Sequence, residues 1–346
     1  MPLPEMSELE TIAEATPLLQ KQTGIVIPVY LPKGESRALA AALLRDLVQA
    51  CRNEIDDPAN ICLSVDGAES GAEVASQLAR EFAVSIVVGQ QNRGKLHALR
   101  SGAAALLERS DLRYAAVLDG DGDHFPNELL NFVRSAEYTR RRVGVTDILV
   151  LGRRLSRHRP MGFLRGELEE LADRVLLDAL AFRATLDGRP LRLESATSFD
   201  EFPDFHSGYK LFSVDTARRV FLSEPQLSGV DETAYYKHAC EAVMVVEALA
   251  QGSYLAVVNR STMNEQPVTT FGLLDRSRLV ADKIIWPCKR LGVPLTFVDQ
   301  WLRNHMPRLT LVTLSPGKEE LKQIRTLVCE ALGGVPDGDL WGPPFV

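Results

Sequence analysis

Three aspartates alternate with glycines in the middle of the chain, at Asp119, Asp121 and Asp123. The apolar segment 115–118 before them predicts a buried strand, and its carboxyl end is where open α/β sheets bind ligands. Carboxylates this close repel one another unless a cation lies among them. Hard divalent ions such as Mg²⁺ or Mn²⁺ take oxygen ligands and often share them with phosphate. The spacing indicates a metal–diphosphate site, and the alternative is a solvated Asp/Gly turn.

The segments around this cluster alternate between strand-like and helix-like patterns. Strands are predicted at 24–30, 61–65, 84–88, 115–118, 147–151 and 254–258. Helices are predicted at 37–52, 71–82, 95–109, 127–142, 163–185, 231–251, 273–291 and 318–332. This alternation predicts an α/β fold with a doubly wound, mostly parallel sheet.

Two candidates for phosphate or nucleotide binding follow the ends of early strands. Asp66 follows the second predicted strand, and its alternative role is a turn residue before Gly67. Lys95 comes after Asn92 and Gly94 at a predicted helix start, where free N–H groups and the helix dipole attract phosphate. A lysine there adds a point charge, or it is simply solvated.

Two arginines, Arg153 and Arg154, follow the predicted strand at 147–151. Paired guanidinium groups can bind a diphosphate, or the phosphate of a second substrate, through two parallel hydrogen bonds. Solvated arginines would look the same in sequence. The pattern does not choose between the two residues.

Composition restricts the class of protein. The 346 residues include 39 Lys+Arg and 46 Asp+Glu, a formal net charge of −7, which argues against a nucleic-acid surface. No apolar stretch of about 18 residues exists, so no transmembrane helix is expected. The acidic segment 1–22 does not resemble a signal peptide. The 5 cysteines lack metal-ligand spacing, which predicts reduced thiols in a cytoplasmic protein.

In order, these segments resemble the glycosyltransferases of family 2, which have the GT-A fold. The resemblance rests on IVIPVY, SVDGAES, NRGKLHALRSGAA, VLDGDGDHFP and the later HSGYKLFS, and it covers roughly residues 24–260. Within the family, polyprenyl-phosphate sugar synthases have the metal motif Asp-x-Asp-x-Gln-His-x-Pro, which the segment 119–126 resembles. The resemblance implies a GT-A-type doubly wound, mostly parallel sheet with a helical C-terminal extension.

The resemblance also implies a domain order and a reaction. The domains would be an N-terminal lead-in, a nucleotide-sugar-binding half, an acceptor-binding half and the extension, at 1–22, 23–152, 153–267 and 268–346. The reaction would be metal-dependent, non-processive and inverting, from a nucleoside-diphosphate sugar to a soluble acceptor or a lipid phosphate. A lipid phosphate would be reached from the cytoplasm at the membrane surface.

The implied site residues form two sets. Mg²⁺ or Mn²⁺ would be held by Asp119, Asp121 and Asp123. Nucleotide or substrate contacts would come from Asp66, Asn92, Lys95, Asp119, Arg153, Arg154 and Lys210. Possible third metal ligands are His206, His238 and His305, although a lone histidine is more often structural.

The catalytic base is predicted from distance along the chain. Inverting transfer to a hydroxyl needs a group that takes its proton. Glu241 lies eleven residues before Gly252, the spacing of the family's catalytic Asp from a similar helix end. The acidic pair Asp231 and Glu232 lies farther back, so Asp231 is the alternative. A phosphate acceptor would need no base.

Other classes remain open. The family's Asn-Glu pair after the first strand is replaced by the segment 31–35, and the Gln-x-x-Arg-Trp signature of processive members is absent. Segment 117–122 resembles haloacid dehalogenase phosphatases, but Asp123 stands where they need a threonine-like residue. A sugar nucleotidyltransferase would need a glycine-rich loop that is missing. The non-enzyme alternative is a pseudoenzyme that binds a nucleotide sugar without transferring it.

Overall fold

A computed structural model describes residues 8–31, 33–34, 36–109, 111–195, 202–263, 265–266 and 275–341. Seven strands form one sheet: β1 (Thr23–Val29), β2 (Ile61–Val65), β3 (Ser85–Val88), β4 (Tyr114–Val117), β5 (Ile148–Arg154), β6 (Lys210–Ser213) and β7 (Tyr254–Arg260). Their spatial order is β3-β2-β1-β4-β6-β5-β7. All pairs are parallel except those of β6, which runs antiparallel to both β4 and β5.

The helices of the described ranges are α1 (Glu8–Gln22), α2 (Ser36–Glu54), α3 (Ala72–Phe82), α4 (Lys95–Leu107), α5 (Leu129–Val143), α6 (His158–Leu186), α7 (Val214–Leu222), α8 (Cys240–Ala250), α9 (Arg276–Arg290), α10 (Leu295–His305) and α11 (Ser315–Ala331). None of them combines the length and the apolar character needed to cross a bilayer. All 5 cysteines of the chain are buried free thiols.

Alternate residues of the strands pack into two hydrophobic cores, one on each face of the sheet. In β1, Val26 packs into the core that contains α4, α8 and α9, whereas Ile25 and Ile27 pack into the core that contains α2 and α5. Each fully buried aliphatic side chain of this kind contributes about 1.5 to 3 kcal/mol. Because both faces are covered, the strands are apolar throughout and their polar residues concentrate at the ends.

The predicted strands are all present, and the structure adds β6 between β4 and β5. It also adds α7 and α10, whose sequences were not assigned to any element. The helix expected over 231–251 is interrupted: residues 234–238 form a π-helical turn, and α8 begins only at Cys240. The prediction of one continuous helix is therefore wrong, and the π turn lies beside the cavity described below, as such turns often do at functional sites.

The predicted C-terminal extension begins within residues that lie outside the described ranges. In its later part, α9 and α10 pack against α6, and α11 packs against α9 and α10. A buried ion pair between Arg325 and Asp299, with 2.7 Å from Nε to Oδ1, joins α11 to α10. Because Leu279 and Lys283 of α9 line the cavity, this region helps to form the candidate site.

Candidate active site

A cavity of about 450 Å³ opens where β1, β2 and β4 end. Most of the predicted site residues lie on its wall: Asp66, Asn92, Lys95, Asp119, Asp121, Asp123, Arg154 and Glu241. Successive parallel strands bring their carboxyl ends to one edge, which explains why residues from distant segments meet there. Four predicted residues do not line the cavity: Arg153, Lys210, Asp231 and His305.

Asp66 holds the loop before α4 in place. Its Oδ1 accepts the backbone N–H of Arg93 at 2.9 Å, and its Oδ2 accepts that of Gly94 at 2.9 Å. Gly94 has φ +118°, and a Cβ there would lie 2.7 Å from the carbonyl oxygen of Tyr236, so only glycine suits this position. Beside it, Asn92 Oδ1 is buried and lacks a hydrogen-bond partner within the described part of the chain.

Lys95, the first residue of α4, connects two carboxylates. Its Nζ lies 2.6 Å from Asp119 Oδ1 and 2.8 Å from Glu241 Oε1. Burial alone would raise the pKa of Glu241, but the ammonium groups of Lys95, Lys283 and Lys210 lower it to about 2. Glu241 is therefore ionised and paired, which makes it a weak proton acceptor near neutral pH.

The surroundings of Asp121 destabilise the ionised form of its carboxyl group. Burial and the carboxylate of Asp119 raise the pKa of Asp121 to about 6. Its Oδ1 accepts the backbone N–H of Asp123 at 3.1 Å, and its Oδ2 accepts the side-chain amide of Gln266. A cation beside Asp121 would remove this electrostatic cost.

Asp123 occupies a different environment from its two neighbours. Its Oδ2 lies 3.2 Å from a guanidinium nitrogen of Arg260, at the end of β7, and its Oδ1 accepts the backbone N–H of Met263 at 2.8 Å. Both carboxylate and guanidinium are buried. The structure thus places Asp123 in an ion pair that fixes the segment after β7, while Asp119 and Asp121 face the cavity without such a partner on β7.

The donor set on the cavity wall fits a divalent cation that arrives with a diphosphate. Mg²⁺-type ions often bind through one or two carboxylates and complete their shell with phosphate and water. Asp119 and Asp121 supply two such carboxylates, and a bound cation would offset the burial and the repulsion from Asp119 that raise the pKa of Asp121. Within the described ranges, no three His, Cys, Asp or Glu side chains converge to form a complete protein-only site.

His124 supports the aspartate cluster from behind. Its Nδ1 accepts the backbone N–H of Asp119 at 2.8 Å, and its ring stacks on Tyr209 with 4.8 Å between centroids. Burial, followed by the charges of Arg260 and Lys95, holds the pKa of His124 well below its ordinary value. A neutral ring with an accepting Nδ1 fixes the backbone from which the Asp119 side chain projects.

Gly208 brings a second segment against Asp119. A Cβ added at Gly208 would overlap Asp119 Oδ2. Two residues later, the ammonium of Lys210 is fully buried and donates to the backbone carbonyls of Phe205 and Ser207, the former at 3.1 Å. Lys210, predicted as a substrate contact, therefore lies behind the cavity wall and organises the segment that carries Gly208.

The two predicted arginines have separate surroundings. Arg153 donates to Asn259 Oδ1 at 2.9 Å, outside the cavity. Arg154 lines the cavity, but its guanidinium donates to Asp204 Oδ2 at 2.8 Å and to Glu169 Oε2 at 2.9 Å. Burial opposes the charge of Arg154, yet these carboxylates hold its pKa well above the ordinary value. Its charge is thus balanced by protein groups.

The remaining candidates are histidines and Asp231. Asp231 is exposed, and its Oδ1 accepts the backbone N–H of Ala234 at 2.8 Å, at the start of the π turn. His206 and His238 both line the cavity, and each pairs with a buried aspartate. His305 pairs with Asp178 away from the cavity.

Several cavity residues had not been singled out from the sequence: Glu169, Arg165, Lys237, Arg260, Gln266 and Lys283. They come from α6, the π turn, the end of β7 and α9, where their local sequence resembles any amphipathic helix or loop. Arg260 is the last residue of β7 and Gln266 follows that strand, and polar residues at a strand end are the one signal that could have indicated them.

Comparison with known proteins supports the fold. No protein-family model matches the sequence, and no curated protein sequence matches it. Among solved structures, glucosyl-3-phosphoglycerate synthase from Mycobacterium tuberculosis, in complex with Mn²⁺, UDP-glucose and phosphoglyceric acid, matches with a TM-score of 0.52 and 16% identity over 84% of this chain and 86% of that chain. Its complex with Mn²⁺, UDP-glucose and glycerol 3-phosphate matches with a TM-score of 0.50 and 16% identity, over 84% and 87%.

The fold class predicted from the sequence is therefore confirmed. The sheet is mostly parallel and doubly wound, its single antiparallel strand is β6, and the architecture is of the GT-A type. The candidate site lies at the carboxyl ends of the first strands of this fold.

Proposed function

We propose that the protein transfers a sugar from a nucleoside-diphosphate sugar to an acceptor, with Mg²⁺ or Mn²⁺ bound at Asp119 and Asp121. The observation that carries the proposal is the pair of cavity-facing carboxylates, Asp119 and Asp121, beside the helix start at Lys95: Asp119 is paired with Lys95, whereas burial and the charge of Asp119 destabilise the ionised form of Asp121. The cavity has the size of a small-molecule site. Its charged wall suits a donor whose diphosphate carries several negative charges and brings a cation with it.

The nucleoside of the nucleoside-diphosphate sugar would bind beside Asp66 and Asn92. Asn92 Oδ1 is a buried hydrogen-bond acceptor without a partner among the described residues. Leaving such an atom unpaired costs about 1 to 3 kcal/mol. A nucleobase or ribose N–H or O–H would satisfy it. Asp66 keeps the loop 92–94 in the conformation that presents this oxygen, and it adds negative potential on the same wall.

The diphosphate belongs between the aspartates and Lys95. As the bond to the sugar breaks, negative charge develops on the departing diphosphate. A divalent cation beside it would neutralise this charge and so lower the barrier to transfer. Lys95 then supplies a second positive charge, held in position by Glu241. With that charge in place, the leaving group is stabilised before the bond to the sugar breaks, and no reorganisation is needed.

The proposal also covers the type of glycosyltransferase, the stereochemical outcome of transfer and the side from which the acceptor enters. We assign the chain to the family 2 type of glycosyltransferase, with single inverting transfer in the cytoplasm and an acceptor that enters from the side of α6 and α9. The basic side chains of Arg165, Lys237 and Lys283 on that side suit an anionic acceptor, either a soluble one or a lipid phosphate. The M. tuberculosis neighbour, which binds Mn²⁺, UDP-glucose and phosphoglyceric acid, supplies the first compounds to test.

The donor test is isothermal calorimetry with UDP, GDP and ADP, each with Mn²⁺ and again with EDTA. One nucleotide should bind, and EDTA should weaken its binding at least about tenfold, since charge-assisted contacts contribute about 1.5 to 3 kcal/mol each. Asp66→Ala and Lys95→Ala should lower that affinity while leaving the protein folded. Asp215→Ala, on the exposed side of α7, is the matched control and should bind like the wild type.

The reaction test is release of the nucleoside diphosphate from its sugar forms, beginning with UDP-glucose, with 3-phosphoglycerate, glycerol 3-phosphate or water as acceptor. Transfer or hydrolysis supports the enzyme. Tight metal-dependent binding without release from any donor would instead favour the pseudoenzyme, for which the neutralised Glu241 is the supporting observation. Equal affinity with Mn²⁺ and EDTA across all nucleotides would refute the metal role.

A further inference from the structure

His206, on the wall of the cavity, is paired with Asp173 of α6. His206 Nδ1 is 2.7 Å from Asp173 Oδ1, and the same oxygen accepts the backbone N–H of His206 at 3.1 Å. Both side chains are fully buried. The other oxygen, Asp173 Oδ2, lies 3.4 Å from a guanidinium nitrogen of Arg157. The carboxylate is therefore charge-balanced and held against the ring.

The hydrogen bonds determine which ring nitrogen carries the proton. An ionised carboxylate only accepts hydrogen bonds, so Nδ1 must be the donor to Asp173. In the neutral ring Nε2 then keeps its lone pair. That atom is buried and has no hydrogen-bond partner among the residues that the structure describes. A buried polar atom left unpaired on the wall of a cavity indicates a ligand that is not present.

The position of His206 brings it near the donor site. His206 is two residues before Gly208, whose Cα abuts the carboxylate of Asp119. Two residues span at most about 7 Å, so the backbone of His206 lies within that distance of Gly208, and His206 and Asp119 line the same cavity. His206 also adjoins Glu169, on the side of α6 that we assign to the acceptor.

We propose that His206 is the general base that accepts the proton of the acceptor hydroxyl, with Asp173 holding the ring in the Nδ1–H form. This inference rests on the proposed glycosyl transfer. As the acceptor oxygen bonds to the anomeric carbon, its proton moves to Nε2. The bond from that carbon to the diphosphate oxygen breaks, and its electron pair leaves with the diphosphate. The imidazolium is stabilised by Asp173 and afterwards gives its proton to water.

Two other candidates are less suitable. Glu241, the base predicted from the sequence, is neutralised by Lys95. His238 forms a similar pair, with 2.7 Å from Nδ1 to Asp282 Oδ2, but its Nε2 is not among the buried unpaired atoms. A metal-ligand role for His206 would require it to converge with the aspartates, and within the described ranges no such group of three exists.

The first test replaces His206 by asparagine, whose amide nitrogen can still donate to Asp173 although it offers no base in place of Nε2. We expect His206→Asn to bind UDP and Mn²⁺ like the wild type in calorimetry. Its rate of UDP release from UDP-glucose, with water or glycerol 3-phosphate as acceptor, should fall about 10² to 10⁴-fold. His305→Gln, which keeps the Nε2-type donor to Asp178 outside the cavity, should release UDP at the wild-type rate.

The outcomes separate this inference from the proposed function. Wild-type rates in His206→Asn would overturn the base while leaving glycosyl transfer intact. Loss of Mn²⁺ or UDP binding in that variant would make His206 a ligand and not a base. A wild-type protein that binds UDP with Mn²⁺ but releases UDP from no sugar nucleotide would refute the proposed function, and the base assignment would fall with it.

The second test measures the tautomer directly, by long-range ¹H–¹⁵N NMR of histidine-labelled protein with UDP and Mg²⁺. The neutral ring of His206 should carry its proton on Nδ1. Asp173→Asn should shift the proton to Nε2 and lower transfer to a level close to that of His206→Asn, since the wrong tautomer has no lone pair toward the acceptor. An Nε2–H tautomer in the wild type would contradict the proposal even in an active enzyme.

Discussion

Lys95 and Glu241 form an ion pair across the cavity, with 2.8 Å between Nζ and Oε1. The same ammonium lies 2.6 Å from Asp119 Oδ1. One cation thus joins the start of α4, the end of β4 and the first turn of α8. The contact also connects the predicted nucleotide-binding half to the predicted acceptor-binding half, so the position of Lys95 depends on both.

Replacing Glu241 by glutamine distinguishes an anchor from a base. If Glu241 holds Lys95 in position, Glu241→Gln should weaken binding of UDP with Mn²⁺ about tenfold, because one charge-assisted contact contributes about 1.5 to 3 kcal/mol. The maximal rate of UDP release should change less than the affinity. Calorimetry and steady-state kinetics measure the two effects separately. A rate loss of about 10² or more with unchanged affinity would instead identify Glu241 as the base.

The aspartates of the cluster should divide into two classes. Asp121→Asn should abolish the effect of Mn²⁺ on UDP affinity while stability stays equal or rises, because burial and repulsion disfavour the charged form of Asp121. Asp123→Asn should lower the free energy of unfolding by about 3 to 5 kcal/mol, because Arg260 would keep a buried charge without its partner. Urea unfolding and calorimetry on both variants give the comparison. Equal stability losses would show that the two side chains have the same role.

Gly208→Ala tests the contact with Asp119. The added methyl group would overlap Oδ2 and push the carboxylate out of position, so metal-dependent nucleotide binding should weaken at least about tenfold while the fold persists. Gly144→Ala, at the end of α5 with φ +75° and open space around it, is the control. It should lower stability by about 1 kcal/mol through backbone strain and leave binding unchanged. Normal binding in Gly208→Ala would mean that Asp119 does not need its present position.

The buried lysine behind the site should give a pH-dependent stability. Burial lowers the pKa of Lys210 to about 8 from its ordinary value of 10.5, an effect that the carboxylate of Glu241 partly offsets. Between these pH values the unfolded chain binds more protons, so the stability contribution of Lys210 should rise with pH, by about 3 kcal/mol in total. The unfolding free energy of the wild type minus that of Lys210→Met should therefore rise from pH 8 to pH 10.5. A constant difference would show that Lys210 titrates alike in both states.

The sequence by itself determined six of the seven strands of the sheet, most of the helices, and the edge at which ligands are expected to bind. Local periodicity is enough to identify a buried strand, and parallel topology then gathers the strand ends, so Asp66, Asn92, Lys95 and Asp119 could be assigned to one site. The order of the motifs added the fold type, which the structural comparison confirms. These conclusions depend on spacing along the chain, which a sequence shows directly.

Only the tertiary structure decided what each charged side chain faces. Asp121 and Asp123 are two residues apart, yet the latter is paired with Arg260 from β7, and Lys210 is turned behind the wall. The pairing of His206 with Asp173 likewise depends on how α6 packs beside the segment before β6. Such partners come from distant parts of the chain. The sequence around a charged residue does not show which residue it will pair with. Long-range packing sets the local electrostatics, and these decide which carboxylate holds a cation and which group can take a proton.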